Sequence, residues 1–297
     1  MNILAIDIGG SQTAAGIVDG DGNVLCCEKE RLPAGTDKDS LLAVIKSNCA
    51  KITGNYDFDR IGMTIPGLAD TKNGVWIYAP FSGINNFPIA EIIGGMYNKR
   101  VYIENDVNAC AVGEKRFGCC KDINDFIWIT VSNGIGGAVF ADGRLYAGHG
   151  GNAGEIGHIK VRDDDNRDFL CGSGDYNCAE AVAAGPGIAK RYNKLTGGSL
   201  TAEQIAGKAR GGDTASQTIL YETGYYIGKA LSGAVNILNP EAVIFGGGVS
   251  QSFDLIEPGI KAALSGYMFK AANKDIKLMQ TALKYNAALI GAAAITI

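Results

Sequence analysis

Asp7-Ile-Gly-Gly-Ser-Gln-Thr13 closes one apolar, β-branched run, Ile3–Ile8, and opens another, Ala14–Val18. Asp21-Gly22 then marks a type I′ turn. The stretch reads as strand, glycine turn, strand, Asp-Gly turn, strand. The same order returns later. Phe126–Val131 is apolar, Gly134–Gly137 forms a turn, Ala138–Phe140 a strand, and Asp142-Gly143 a hairpin before Arg144–Tyr146. Gly16 matches Gly137 and Asp21-Gly22 matches Asp142-Gly143, both at an offset of 121 (137−16 and 142−21). One repeat at so long a spacing predicts two related domains; solenoid periods are only about 20–50 residues.

Between the hairpins, apolar spacing predicts helices at Asp39–Ile52, Ile89–Tyr97 and Val107–Phe117, and short strands at Ile61–Ile65 and Val101–Ile103. Further helices are expected at Ala179–Leu195, Ala202–Ala209, Ala215–Leu238 and from Ala287, with a strand at Ala242–Phe245. Val161–Leu170 reads as a charged loop. Alternating strands and helices define an α/β fold. The repeat puts a first domain at 1–118, completed by the C-terminal helix 287–297, and a second at 119–286.

Composition removes several function classes. The 297 residues are 46% hydrophobic and 20% charged, enough for a substantial core. A net charge of −4 gives no basic field for nucleic acid. The longest nearly apolar stretch, Ala287–Ile297, is far shorter than the roughly 18 residues of a membrane span. The start lacks the charged n-region of a signal peptide. Eight cysteines, with Cys26-Cys27 and Cys119-Cys120 adjacent, do not resemble a disulfide framework. A soluble cytoplasmic protein is expected, with neither nucleic-acid nor membrane partners. The 42 glycines are clustered after apolar runs, where backbone passes close to a ligand, often a phosphate.

Three segments carry candidate chemistry. Asp7 stands at a strand end beside a glycine turn whose amides suit phosphate oxygens, and its carboxylate suits a hydrated Mg²⁺; a carboxylate satisfied by turn amides is the alternative. No Gly-Lys-Ser/Thr follows, so it is not a Walker loop, and Val139 breaks the Rossmann spacing after Gly134-Ile-Gly136. Glu104-Asn-Asp106-Val-Asn lies where a strand meets a helix: a carboxylate there suits proton transfer from a sugar hydroxyl, or a helix cap. Gly154-Glu155-Ile-Gly-His158, followed by Cys171-Gly-Ser-Gly-Asp-Tyr-Asn-Cys178-Ala-Glu180, offers nitrogen and sulfur ligands to zinc, one short of a closed site. His149 reads as a loop residue.

With these segments in order, and with Ile65-Pro-Gly-Leu, Ile135-Gly-Gly, Gly185-Pro186 and Asn239-Pro-Glu-Ala-Val-Ile-Phe-Gly-Gly-Gly248, the chain resembles the ROK (repressor, open reading frame, kinase) sugar kinases over nearly its whole length. That family lies within the actin/hexokinase/Hsp70-like superfamily. The resemblance implies two actin-like ATPase (ribonuclease H-like) α/β domains flanking a cleft, sugar deep between them and ATP at the mouth. It implies Asp106 as catalytic base, and Asn105, Asp106, Glu155, His158 and Glu180 as sugar contacts with Gly67 nearby. Gly9, Gly10, Ser11 and Thr13 would form the first phosphate loop, Asn133, Gly134 and Gly136 the second, and Gly246, Gly247 and Gly248 would lie by the adenosine. His158, Cys171 and Cys178 match zinc ligands. A homodimer is implied as well.

The departures are specific. Ser11 replaces Thr and keeps the hydroxyl. Ser132-Asn133-Gly134 replaces Gly-Thr-Gly. Ser173 stands where the zinc motif carries another cysteine, leaving Asp175 or water as a fourth ligand, or a loop that holds itself without metal. Phe81 stands where sugar-specific relatives often carry Asn, which relaxes specificity. The expected activity is ATP- and Mg²⁺-dependent phosphorylation of a hexose, glucose at C6 first. The alternatives are an N-acetylhexosamine, fructose or β-glucoside kinase, a sugar-binding protein without phosphoryl transfer, and a sugar-responsive repressor.

Overall fold

In the first hairpin Ile3, Leu4, Ala5, Ile6 and Ile8 are all buried, so this strand has a covered surface on both sides. The computed structural model describes residues 1–33, 35–79, 83–163 and 167–297. The expectations for Phe81 and for 164–166 of the charged loop lie outside the described residues. The chain divides into two units. One comprises Met1–Asp122, Ala147–Asn152 and Thr281–Ile297, the other Ile123–Tyr146 and Ala153–Gln280.

Among the described residues of the first unit, β1 (Asn2–Ile8), β2 (Gln12–Asp19), β3 (Val24–Arg31), β4 (Arg60–Ile65) and a later strand, β8 (Val101–Asn105), form a sheet in the order β3-β2-β1-β4-β8. β1–β3 are antiparallel, and β1, β4 and β8 run parallel. Strands β5 (Leu68–Asp70), β6 (Val75–Tyr78) and β7 (Asn85–Phe87) make a small separate sheet. Helices α1 (Lys38–Thr53), α2 (Ile89–Tyr97) and α3 (Asp106–Phe117) complete it together with the C-terminal helix, Ala287–Ala294. Small side chains let this last helix lie directly on the sheet, where a Cβ at Gly62 would run into the Ala292 carbonyl.

The second unit repeats the plan. β9 (Phe126–Val131), β10 (Ile135–Ala141), β11 (Arg144–Leu145), β12 (Ala242–Gly246) and β13 (Lys277–Gln280) lie in the order β11-β10-β9-β12-β13. The hairpins are again antiparallel, and β9, β12 and β13 parallel. The offset of 121 between hairpins thus marks two sheets of one topology. Helices α4 (Ala179–Ala183), α5 (Gly185–Thr196), α6 (Ala202–Arg210), α7 (Thr214–Leu238) and α8 (Phe253–Tyr267) surround a core that includes Val243, Phe245, Ile227, Leu231, Ile256 and Ile260.

Three features differ from expectation. The helix expected over Ala179–Leu195 is two, because Ala184 is extended (ψ 167°) and Pro186 starts the second helix where its missing N–H costs nothing. α8 was hidden by Pro258 inside it; the apolar face Ile256, Ile260, Ala263 and Leu264 holds the helix despite the lost bond. Finally, the first unit keeps Cys119–Asp122 and Thr281–Asn286 and takes Ala147–Asn152, all within the 119–286 stretch expected of the second domain. For two of these segments the cause is Glu114. Its buried carboxylate accepts from Cys119 N (2.8 Å), Leu283 N (3.2 Å) and the Thr281 hydroxyl, fastening both to α3.

Candidate functional site

In the first unit, Asp7 lies opposite Thr64 of β4 in the parallel register, and Thr64 Oγ1 donates to Asp7 Oδ1 at 2.6 Å. Burial holds the Asp7 carboxyl above the usual carboxylate range, against the Thr64 bond and the positive field of Lys29. Gly9 N donates to Gln12 O at 2.9 Å to close the turn, leaving Gly10 and Ser11 exposed at its tip. Thr13 departs from the expectation of a hydroxyl on the phosphate loop. Its side chain is buried and Oγ1 accepts from Asn48 Nδ2 at 2.8 Å, because strand alternation turns it toward α1.

A raised carboxyl pKa makes ionisation unfavourable to the fold. Any stability lost on ionisation is absent below the unfolded value near 3.9 and complete once pH exceeds the folded value. Asp7→Asn is therefore expected to melt above wild type at pH 7, with the gap closing toward pH about 4. Scanning calorimetry at both pH values checks this; a variant that melts lower at pH 7 contradicts it.

At the junction of β8 and α3, Asn105 caps the helix: Oδ1 accepts from Val107 N (2.9 Å) and Asn108 N (3.2 Å). Its Nδ2 donates to Gly67 O at 3.1 Å, tying the Pro66-Gly67 turn to the same point. Trp76 holds that turn from the other side, donating from Nε1 to Pro66 O at 2.9 Å. Asp106, the first residue of α3, is half-buried beside this cap. Glu104, not singled out from sequence, braces it by accepting from Asn105 N (2.9 Å) and Asn108 Nδ2 (3.1 Å), and burial raises its pKa. Its signal was only adjacency to Asn105. The buried thiol of Cys110 in α3 is pushed well up by burial and then by the charges of Asp106, Asp7 and Glu114, so the first two carboxylates share a neighbourhood.

In the second unit the glycine turn between β9 and β10 is held from one side by the α4–α5 segment. Gly185 N donates to Ser132 O at 2.8 Å, and Glu180 Oε2 accepts from Ile135 N at 3.2 Å. A side chain at Gly134 would put its Cβ 2.7 Å from Glu180 Oε2 and would displace that carboxylate from its present place. Asn133, Cys171, Glu180 and Lys190 line a recess of about 190 Å³. Gly154 has φ +104° and, with Gly157, lies against β10 too closely for a Cβ at either, which seats the 3-10 turn Ile156–His158 on the sheet.

That turn presents His158. Its Nε2 lies 3.6 Å from the exposed Glu155 carboxylate, while Nδ1 faces Cys171 Sγ at 3.1 Å. The donor atoms of His158, Cys171 and Cys178 all lie within 4.8 Å of one another. Burial, then the Cys171 contact, pushes the Cys178 thiol up to about 12. Asp175 is absent from this group among the described residues; Ser173 Oγ (3.5 Å) and Glu180 Oε1 (3.6 Å) lie beside Cys171 Sγ. Gly246 and Gly247, expected by the adenosine, pack against Trp128 and the Val131 backbone at the end of β12, and Gly248 opens the 3-10 turn Val249–Ser252.

A repeated five-stranded plan of this kind, with glycine hairpins and a strand–helix carboxylate, is an actin-like ATPase fold. The ROK family model matches residues 3–297, and the chain belongs to that family. It is 27% identical to a glucokinase of Thermotoga maritima over 99% of this chain and 97% of the relative. It superposes with TM-score 0.87 and 28% identity on a ROK family glucokinase from Streptomyces griseus in complex with glucose and AMPPNP, covering 99% of each chain. It is also 26% identical to NagC, a DNA-binding transcriptional dual regulator of Escherichia coli, over 96% of this chain and 73% of that protein. Among the described residues no helix is long and apolar enough to cross a membrane.

Proposed function

We propose that this protein is an ATP-dependent sugar kinase acting on a hexose, with glucose at C6 as the leading substrate. The observation that carries the reading is Asn105-Asp106: a helix-capping amide fixes the backbone beside a half-buried carboxylate, within a family fold whose Streptomyces griseus member holds glucose and AMPPNP.

Asp106 accepts the proton of the sugar hydroxyl as the hydroxyl oxygen attacks the γ-phosphorus, the bond to the β,γ-bridging oxygen breaks and ADP leaves; the base contributes roughly 10²–10⁴-fold. Asn105, Gly67, Glu155, His158 and Glu180 orient the sugar, as the resemblance implies. Amides of the Gly9–Ser11 and Asn133–Gly136 turns hold phosphate oxygens. Asp7 would hold the hydrated Mg²⁺ that accompanies the nucleotide, and Mg²⁺ when bound would neutralise charge on the transferring phosphoryl group. The nitrogen and sulfur atoms of His158, Cys171 and Cys178 fit three corners of a zinc site, which would leave water at the fourth. Zinc there would fix Nδ1 and so the direction of His158 Nε2. The resemblance also implies a homodimer, which sedimentation equilibrium reads directly.

ADP release over a panel of glucose, N-acetylglucosamine, N-acetylmannosamine, fructose, allose and a β-glucoside tests the reading, with glucose expected to give the highest kcat/KM. No turnover with any of them overturns it. The NagC likeness supports a second reading, a sugar-responsive regulator. Operator-specific retardation of DNA by the full chain, without sugar phosphorylation, favours that one.

A further inference from the structure

Glu180 joins groups that the proposed function assigns to different ligands. Its Oε2 accepts from Ile135 N at 3.2 Å, where the second glycine turn enters β10, and lies 2.7 Å from where a Cβ at Gly134 would stand. Its Oε1 lies 3.6 Å from Cys171 Sγ, which donates to it, and Cys171 Sγ lies 3.1 Å from His158 Nδ1. Glu180 and Asn133 line the same recess. A half-buried carboxylate thus takes up an amide of the turn proposed to grip phosphates, and sets a negative charge beside it.

We propose that Glu180 is a positioning residue that makes nucleotide binding depend on bound sugar. Without sugar, its carboxylate occupies the Ile135 N–H and repels the triphosphate. A sugar hydroxyl donating to Glu180 draws the carboxylate off the turn and frees that amide. The inference rests on the reading of Glu180 as a sugar contact. Two physical terms act in the same direction. Like charges a few ångströms apart in a partly desolvated setting oppose each other strongly, and an N–H already satisfied must lose one acceptor to gain another. By linkage, the sugar then tightens nucleotide by the factor that nucleotide tightens sugar.

Glu180→Gln removes the charge and keeps an acceptor; Glu180→Ala removes both. AMPPNP with Mg²⁺ is titrated calorimetrically into wild type and both variants, without sugar and with saturating glucose, after near-UV circular dichroism establishes native packing. Wild type is expected to bind AMPPNP at least about tenfold tighter with glucose, a factor equal to about 1.4 kcal/mol. Sugar-free Glu180→Gln and Glu180→Ala are expected to bind it about tenfold tighter than sugar-free wild type. A residue that merely props the turn gives the opposite sign. Equal or weaker sugar-free binding in Glu180→Gln overturns the proposal, as does wild-type affinity indifferent to glucose, and both results leave the kinase reading intact. A wild-type protein that binds no AMPPNP overturns both.

Discussion

Asp106→Asn is expected to lower kcat by about 10²- to 10⁴-fold, the range lost when a positioned general base is removed, while sugar affinity changes only a few-fold. The substitution keeps size and shape at the first position of α3, and the cap is made by Asn105, so the helix survives. Losing one negative charge at a helix N-terminus costs about 0.3–1 kcal/mol. A hundredfold loss of rate corresponds to roughly 2.7 kcal/mol of barrier, so chemistry dominates over stability. Coupled ADP-release kinetics and calorimetric titration with glucose separate the two. Turnover within about tenfold of wild type removes Asp106 from the role of base.

The second large effect belongs to a residue assigned no contact with sugar or nucleotide. Glu114→Ala is expected to destabilise the first unit by about 3 kcal/mol, since one truncation leaves several donors in a water-poor site without an acceptor. These donors are Cys119 N and Sγ and the Thr281 hydroxyl, while Leu283 N loses one of its two acceptors and keeps Thr281 Oγ1. Glu114 itself is fully buried, so water cannot readily replace it. Hydrogen exchange at the Cys119 and Leu283 amides is expected to accelerate markedly, and the thermal midpoint to fall. Protection at both amides equal to wild type contradicts the anchoring role. Glu114→Gln keeps one acceptor oxygen and is expected to lie between.

Much of the architecture was legible because its causes are local. Apolar alternation around Ile3–Ile8 and Phe126–Val131, broken by glycine and Asp-Gly turns, sufficed for two hairpins of one design, and each grew into a sheet of the same order. A helix cap at the β8–α3 junction was legible for the same reason, but the sequence reading attached it to the carboxylate there, whereas Asn105 makes it. β13 was not, since Lys277–Gln280 alternates weakly and owes its state to pairing with β12, more than thirty residues earlier. The strand–helix junction and the His–Cys segment could be named as candidates from residue types alone. The direction of each side chain could not.

Sequence by itself determined the two hairpins, most of the helices, their duplicated order and the family, because propensity, turn chemistry and motif spacing act between near neighbours. Only the tertiary structure decided that Thr13 turns inward to Asn48, that Glu114 fastens Cys119 and Thr281 to one helix, and that Glu180 reaches the amide of Ile135. The bonds of Thr13 to Asn48, of Thr281 to Glu114 and of Ile135 to Glu180 join residues 35 to 167 positions apart. Such bonds exist only once packing has removed competing water, and no local pattern encodes them.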